Sequence, residues 1–254
     1  MKQFLKFTLA TIVGVIVASV LGIFIFFGIM GAIAGSADKA TELKDNSVYE
    51  LSLSGSLVDR TEDNPFAAAF AEALGQPSQA VIGLDDVLAN IEKAKNDEKI
   101  KGIYLKGGTL MGGFASIKEI RDALVDFKKS GKFVIAYADT YMQSNYYLAS
   151  VADKVLINPE GMLELKGLNA DLVFFKNTLD KIGVEMQVVK VGTFKSAVEP
   201  YITTKMSDAN REQVTVYMTS IWKTMLKDIS ESRKLSVDTL NAFADQMMMF
   251  QPTQ

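Results

Sequence analysis

The sequence predicts an α/β fold of repeated β-α-β units on a mainly parallel sheet, preceded by one N-terminal transmembrane helix. Three observations carry this expectation. An uncharged run opens the chain, from Thr8 to Ala37. From Gly83 onward, short apolar segments alternate with amphipathic ones of helical period. The chain has 254 residues, 48% of them hydrophobic, enough to bury one sizeable core.

The opening run exceeds the roughly 20 residues that a spanning helix needs. It is also longer than the apolar core of a secretory signal, about 7–15 residues, although Ala32-Ile33-Ala34 imitates a cleavage site. It therefore reads as an uncleaved anchor. Lys2 and Lys6 precede it and mixed charges follow, so the positive-inside bias puts the N-terminus in the cytoplasm and the main domain outside it. The expected organisation is a cytoplasmic N-terminus (1–7), a transmembrane anchor (8–35), a polar linker (36–46) and a folded region (47–254).

In the folded region, Tyr49, Leu51 and Leu53 alternate with Glu50, Ser52 and Ser54, the period of a strand with one buried face. Asn64, Pro65 and Gly75 bracket a short apolar helix whose Phe66 and Phe70 either pack on the domain or face a membrane or partner. Then come a helix from Leu84, a strand at 100–108, a helix from Phe114 to Gly131 and a strand at 132–139. A helix at 144–153, a strand at 154–161, a helix at 171–183 and a strand at 184–192 complete the rhythm. Ser207 caps a long helix, and a further capped segment starts at Ser236. The closing Met247-Met248-Met249-Phe250 cluster suggests a fragment boundary or a partner surface.

Composition excludes several chemistries. There is no cysteine and no histidine, so disulfides, thiolate nucleophiles, histidine triads and Cys- or His-ligated metals are out of reach of this chain alone. No metal and no cofactor is expected. The net charge of −3 leaves no broad basic face for nucleic acid. Gly107-Gly108-Thr109-Leu110-Met111-Gly112-Gly113 has neither dinucleotide nor phosphate-loop spacing and reads as a turn, its glycines able to expose amides at a helix start. Proton transfer falls to lysine, carboxylate or tyrosine. In Val191-Gly192-Thr193-Phe194-Lys195-Ser196-Ala197-Val198-Glu199-Pro200, Lys195 is flanked by Phe194, Ala197 and Val198. Burial there would lower the ordinary lysine pKa of about 10.4 and make a base, whereas Glu199 four residues on would hold the ammonium charged. Spacing alone favours a solvated lysine.

That segment, together with Tyr146-Tyr147-Leu148-Ala149-Ser150-Val151-Ala152-Asp153-Lys154 and the anchor, closely resembles the N-terminal half of the long, duplicated form of the signal peptide peptidase A family, serine proteases with a Ser-Lys dyad. The resemblance implies a ClpP/crotonase-like fold. It makes Lys195 the general base, with the nucleophilic serine in a second half that is absent from this chain. Counting back ten residues from Asp153 to the family's serine position reaches Gln143, which has no such chemistry. Ser144, one residue later, reads as a helix N-cap. Gly112 and Gly113 match the family's glycine pair, here a structural remnant or part of a substrate groove. The resemblance implies peptide substrates, chiefly released signal peptides, a bacterial inner-membrane location and a ring-like homo-oligomer, with a tetramer as one candidate. A catalytically incomplete anchor or assembly module is the alternative. A crotonase-type acyl-CoA enzyme is disfavoured by the anchor.

Overall fold

The computed structural model describes residues 1–36, 43–61 and 81–246. The expected helix at Asn64–Gly75, most of the linker and the Met247–Phe250 cluster lie outside the described residues. The chain divides into two compact units, Met1–Lys44 and Asp45–Gln254.

The first unit holds helix α1, Lys2–Ser36. Its stretch Gln3–Ile29 is long and apolar enough to cross a membrane, about 40 Å at 1.5 Å per residue. The hydroxyls of Thr8 and Thr11 donate to the carbonyls of Phe4 and Phe7, so these polar groups are satisfied within the helix.

The second unit is a five-stranded, wholly parallel sheet in the order β2-β1-β3-β4-β5. Its strands are β1 (Ser47–Val58), β2 (Val81–Gly83), β3 (Ile100–Met111), β4 (Phe133–Tyr141) and β5 (Lys154–Leu163). Helices α2 (Leu84–Asn96), α3 (Phe114–Lys128) and α4 (Gln143–Ala149) fill the crossovers from β2 to β5. The short helices α5 (Lys176–Lys181) and α6 (Glu199–Ile202) follow, then the long α7 (Asp208–Arg233) and α8 (Val237–Asp245). The repeated β-α-β units expected from the sequence are therefore present. In β1, Leu51 and Leu53 are buried and Glu50, Ser52 and Ser54 exposed, as the alternation predicts. The Ser207 and Ser236 hydroxyls accept from the N–H groups of Asn210 and Thr239 and cap α7 and α8.

The core joins Leu51, Ile103 and Val134 of the sheet to Ile91, Ile120 and Phe127 of the helices, and Ile229 and Leu240 close it. A buried cation docks α7. The Arg121 guanidinium, on α3, donates to the Asp228 carbonyl and the Ser232 hydroxyl, both at 2.7 Å, and lies 5.1 Å from the centre of the Tyr147 ring. Tyr147 in turn donates to the Asp228 carboxylate at 2.5 Å. Burial pulls the Arg121 pKa down, and the Tyr147 and Asp228 groups offset part of that loss.

Three sequence expectations need correction. The glycine run is not a turn: β3 continues to Met111, pairing Leu53 with Gly107 and Ser56 with Met111. A Cβ on Gly107 would lie 2.5 Å from that of Ala138, so glycine there permits close approach of β4 rather than flexibility. The helix expected at 171–183 shrinks to Lys176–Lys181, none of whose residues is buried. Residues 184–192, expected as a strand, form no strand and have no ladder partner among the described residues; strand-forming side chains alone do not make a strand.

Gly107→Val is expected to destabilise the second unit by about 1–3 kcal/mol through overpacking. Gly113→Ala, whose added carbon would meet only Ser116 Oγ at 3.9 Å, is expected to shift the denaturation midpoint far less. Urea titration of the two variants checks the contrast.

Candidate functional site

The chemistry-bearing segments sit in two places. The first is the end of β4. There α4 starts at Gln143, and the buried Gln143 side chain turns onto the chain that follows β5. Its Oε1 accepts from the N–H groups of Lys166 and Gly167 at 2.8 and 3.0 Å, and its Nε2 donates to the Gly167 carbonyl at 2.9 Å. The main-chain N–H of Gln143 donates to Glu164 Oε2 at 3.3 Å. Asn145 donates through Nδ2 to the Gly108 carbonyl of β3. Behind α4, Asp153 exchanges two 2.8 Å bonds with the main chain of Val134, and its other oxygen meets the Lys128 ammonium at 2.8 Å. The Ala-Asp-Lys motif thus fixes the exit of α4 against the start of β4.

Gly112 and Gln143 line one cavity of about 330 Å³, together with Ser144. Phe114, Ile117 and Leu168 form one wall, and Tyr217, Met218 and Met225 of α7 the other. A Cβ on Gly112 would lie 2.9 Å from that of Leu57, so packing against β1 requires glycine here. Gly113 is the N-cap of α3 and has no side chain to offer as cap. Ser144 does not cap α4: the N-cap is Met142, without a side-chain bond, and Ser144 sits one residue inside the helix and lines the cavity. The cap expectation failed because the helix N-cap falls two residues earlier than Ser144.

The second place is the Lys195 turn. Lys195 is exposed, and it lines a separate open cavity of about 560 Å³ walled by Val189, Val191, Phe194 and Val198. This agrees with the solvated lysine that spacing alone favours: among the described residues nothing covers the amine, and Phe194 itself stays 53% exposed. The structure therefore does not bring Lys195 together with Gly112 and Gly113. Among the described residues Lys195 makes no ion pair. Glu199, expected to hold the ammonium charged, is buried and bonds elsewhere: to the Ser207 hydroxyl at 2.5 Å, the Ser207 N–H at 3.1 Å and the Asn210 amide at 2.9 Å. Ser196 donates to Gln213 Oε1 at 3.2 Å, a second tie to α7. The Ser207 hydroxyl, helped by its N–H and by Asn210, holds the Glu199 carboxyl below its ordinary value of 4.5 despite burial.

The family model described as peptidase family S49 matches residues 126–253, the stretch that contains α4, the Asp153 latch and the Lys195 turn. The chain belongs to this family. Protease 4 of Haemophilus influenzae is 35% identical over 83% of this chain and 34% of its own length. Protease 4 of Salmonella typhi is 36% identical over 75% of this chain and 31% of its own. The chloroplastic serine protease SPPA of Arabidopsis thaliana is 29% identical over 65% and 24%. The chain thus spans about a third of the length of the curated relatives it matches. Among solved structures, an enoyl-CoA hydratase/isomerase family protein from Silicibacter pomeroyi overlaps at a TM-score of 0.28 and 13% identity, over 65% of this chain and 86% of that one. That overlap is too small to bear on the fold.

For this S49 member the sequence pointed to Lys195 and the glycine pair. It did not reveal the Gln143 bonds, because no local pattern announces a contact across more than twenty residues. Gln143→Ala strands two N–H donors at Lys166 and Gly167 and is expected to cost about 1–3 kcal/mol in a denaturant titration. The depressed Glu199 carboxyl contributes stability that is complete above its ordinary value and lost as pH falls through the folded value. Glu199→Gln is expected to destabilise the protein at neutral pH and to lose part of the wild-type acid dependence. Thermal unfolding from neutral pH down through the carboxylate range reads both effects.

Proposed function

We propose that this chain is the base-bearing half of a membrane-anchored serine endopeptidase that degrades released signal peptides and other apolar peptides. Lys195, as the neutral amine, takes the proton from a serine hydroxyl supplied by a second half. The serine oxygen attacks the peptide carbonyl, backbone amides hold the oxyanion, and the protonated lysine returns its proton to the leaving amine. No metal or nucleotide takes part. The observation that carries the proposal is the Lys195 turn, an exposed amine in an apolar-walled cavity with Glu199 drawn away onto Ser207 and Asn210. Closing that cavity with another surface would take the amine out of water, the condition under which a lysine becomes a base.

In this account α1 is a single-pass anchor in a bacterial inner membrane with its N-terminus inside, supported by Lys2 and Lys6 ahead of the apolar run. Assembly is homo-oligomeric, with a tetramer as one candidate. The exposed Val189 and Val191 beside the lysine support burial against another surface. A second reading, an anchor and assembly module without activity of its own, is favoured by Gln143, whose amide is committed to the backbone at the position of the family's serine.

In the assembled enzyme with both halves, Lys195→Ala is expected to lower peptide turnover by about 10²–10⁴-fold while leaving the oligomer intact by size-exclusion chromatography. Wild-type-like turnover would remove the base assignment. Ser144→Ala is expected to retain most activity.

A further inference from the structure

The cavity at Ser144 is a second candidate for binding, separate from the Lys195 turn. Among the described residues no charged side chain lines it. Its volume of about 330 Å³ falls at the lower end of the roughly 300–1,000 Å³ of ligand pockets, enough for one or two large side chains. One wall is rigid, because the Gln143 amide pins Lys166 and Gly167 immediately before Leu168. The other wall carries Met218 and Met225, whose flexible thioethers adapt to different apolar shapes. Ser144 lines the cavity, and its hydroxyl makes no hydrogen bond among the described residues.

A second, independent observation says what kind of molecule fits. Residues 168–174 continue from the cavity outside any helix or strand, with Asp171 and Val173 exposed and Leu172 and Phe174 half-buried. Among the described residues their main chain makes no backbone hydrogen bond. Main-chain N–H and C=O groups left unpaired beside an apolar pocket can take up a peptide in β-addition, main chain on main chain and side chain in pocket. A lipid tail would use the pocket and leave those main-chain groups unpaired.

We propose that this cavity, with the unpaired main chain of residues 168–174, is a holding site for an extended apolar peptide, which is bound here and not cut. The proposal rests on peptides being the substrates of the assembled enzyme and adds a place where this half retains them. Cleavage is absent because Gln143 has no hydroxyl and its amide is committed to Gly167.

The test uses the full chain in nanodiscs and an apolar peptide capped at both ends with a central benzoylphenylalanine, whose photolysis favours methionine. Crosslinks mapped by mass spectrometry are expected at Met218 or Met225. Ile221→Trp, which fills the cavity, and Tyr217→Arg, which puts a charge at an exposed wall position, are each expected to lower labelling at least tenfold. A thermal melt of each variant accompanies the labelling, and Tyr217 is 66% exposed, so that change spares the core. Lys195→Ala is expected to label like wild type. Crosslinks confined to residues 189–198, labelling indifferent to both cavity variants, or labelling by a benzophenone fatty acid that the peptide cannot displace would each overturn the proposal. Pocket labelling alongside normal cleavage by the Lys195→Ala assembled enzyme would remove the base assignment and leave the holding site standing.

Discussion

The hydrogen bonds of Gln143 are the constraint on which the candidate site depends. They join the first residue of α4 to the chain that leaves β5, and so decide where Leu168 and the segment beyond it run. A buried amide earns its place only if its polar atoms are paired, and here both are. The same pairing removes any freedom the residue would need to approach a substrate. At the start of α4 this chain carries a fastener.

Around that point the charges are arranged for docking and presentation. Arg121 is buried yet answered by the Asp228 carbonyl, Ser232 and the Tyr147 ring, so α7 is held to α3 and α4 by directional contacts as well as by Ile229 and Met225. Glu199 pulls the base of the Lys195 turn onto the N-terminus of α7, where the capping Ser207 serves both the helix and the carboxylate. Two networks on one helix therefore set the distance between a rigid body and an exposed lysine. Among the described residues the apolar side chains beside that lysine stay uncovered.

What the sequence revealed was local. The period of β1, the serine caps of α7 and α8 and the alternation of strands and helices all follow from neighbours a few residues apart. The misreadings share the opposite cause. Gly107 must be glycine in its strand because Ala138 lies against it, and Gly112 just past that strand because Leu57 does, and neither neighbour is near in sequence. Residues 184–191 have strand composition and no ladder partner among the described residues. Ser144 resembled a cap until α4 proved to start at Gln143. For the site, the family resemblance singled out Lys195, while the release of that lysine from Glu199 needed coordinates.

The central claim is that this chain presents a base and holds no nucleophile. Treating the full chain with a fluorophosphonate, which reacts covalently with activated serine hydroxyls, and mapping the products by mass spectrometry tests it most directly. The account predicts no adduct on any serine of this chain, and labelling only on the half that is added to it. An adduct on Ser144 of the isolated chain would contradict it.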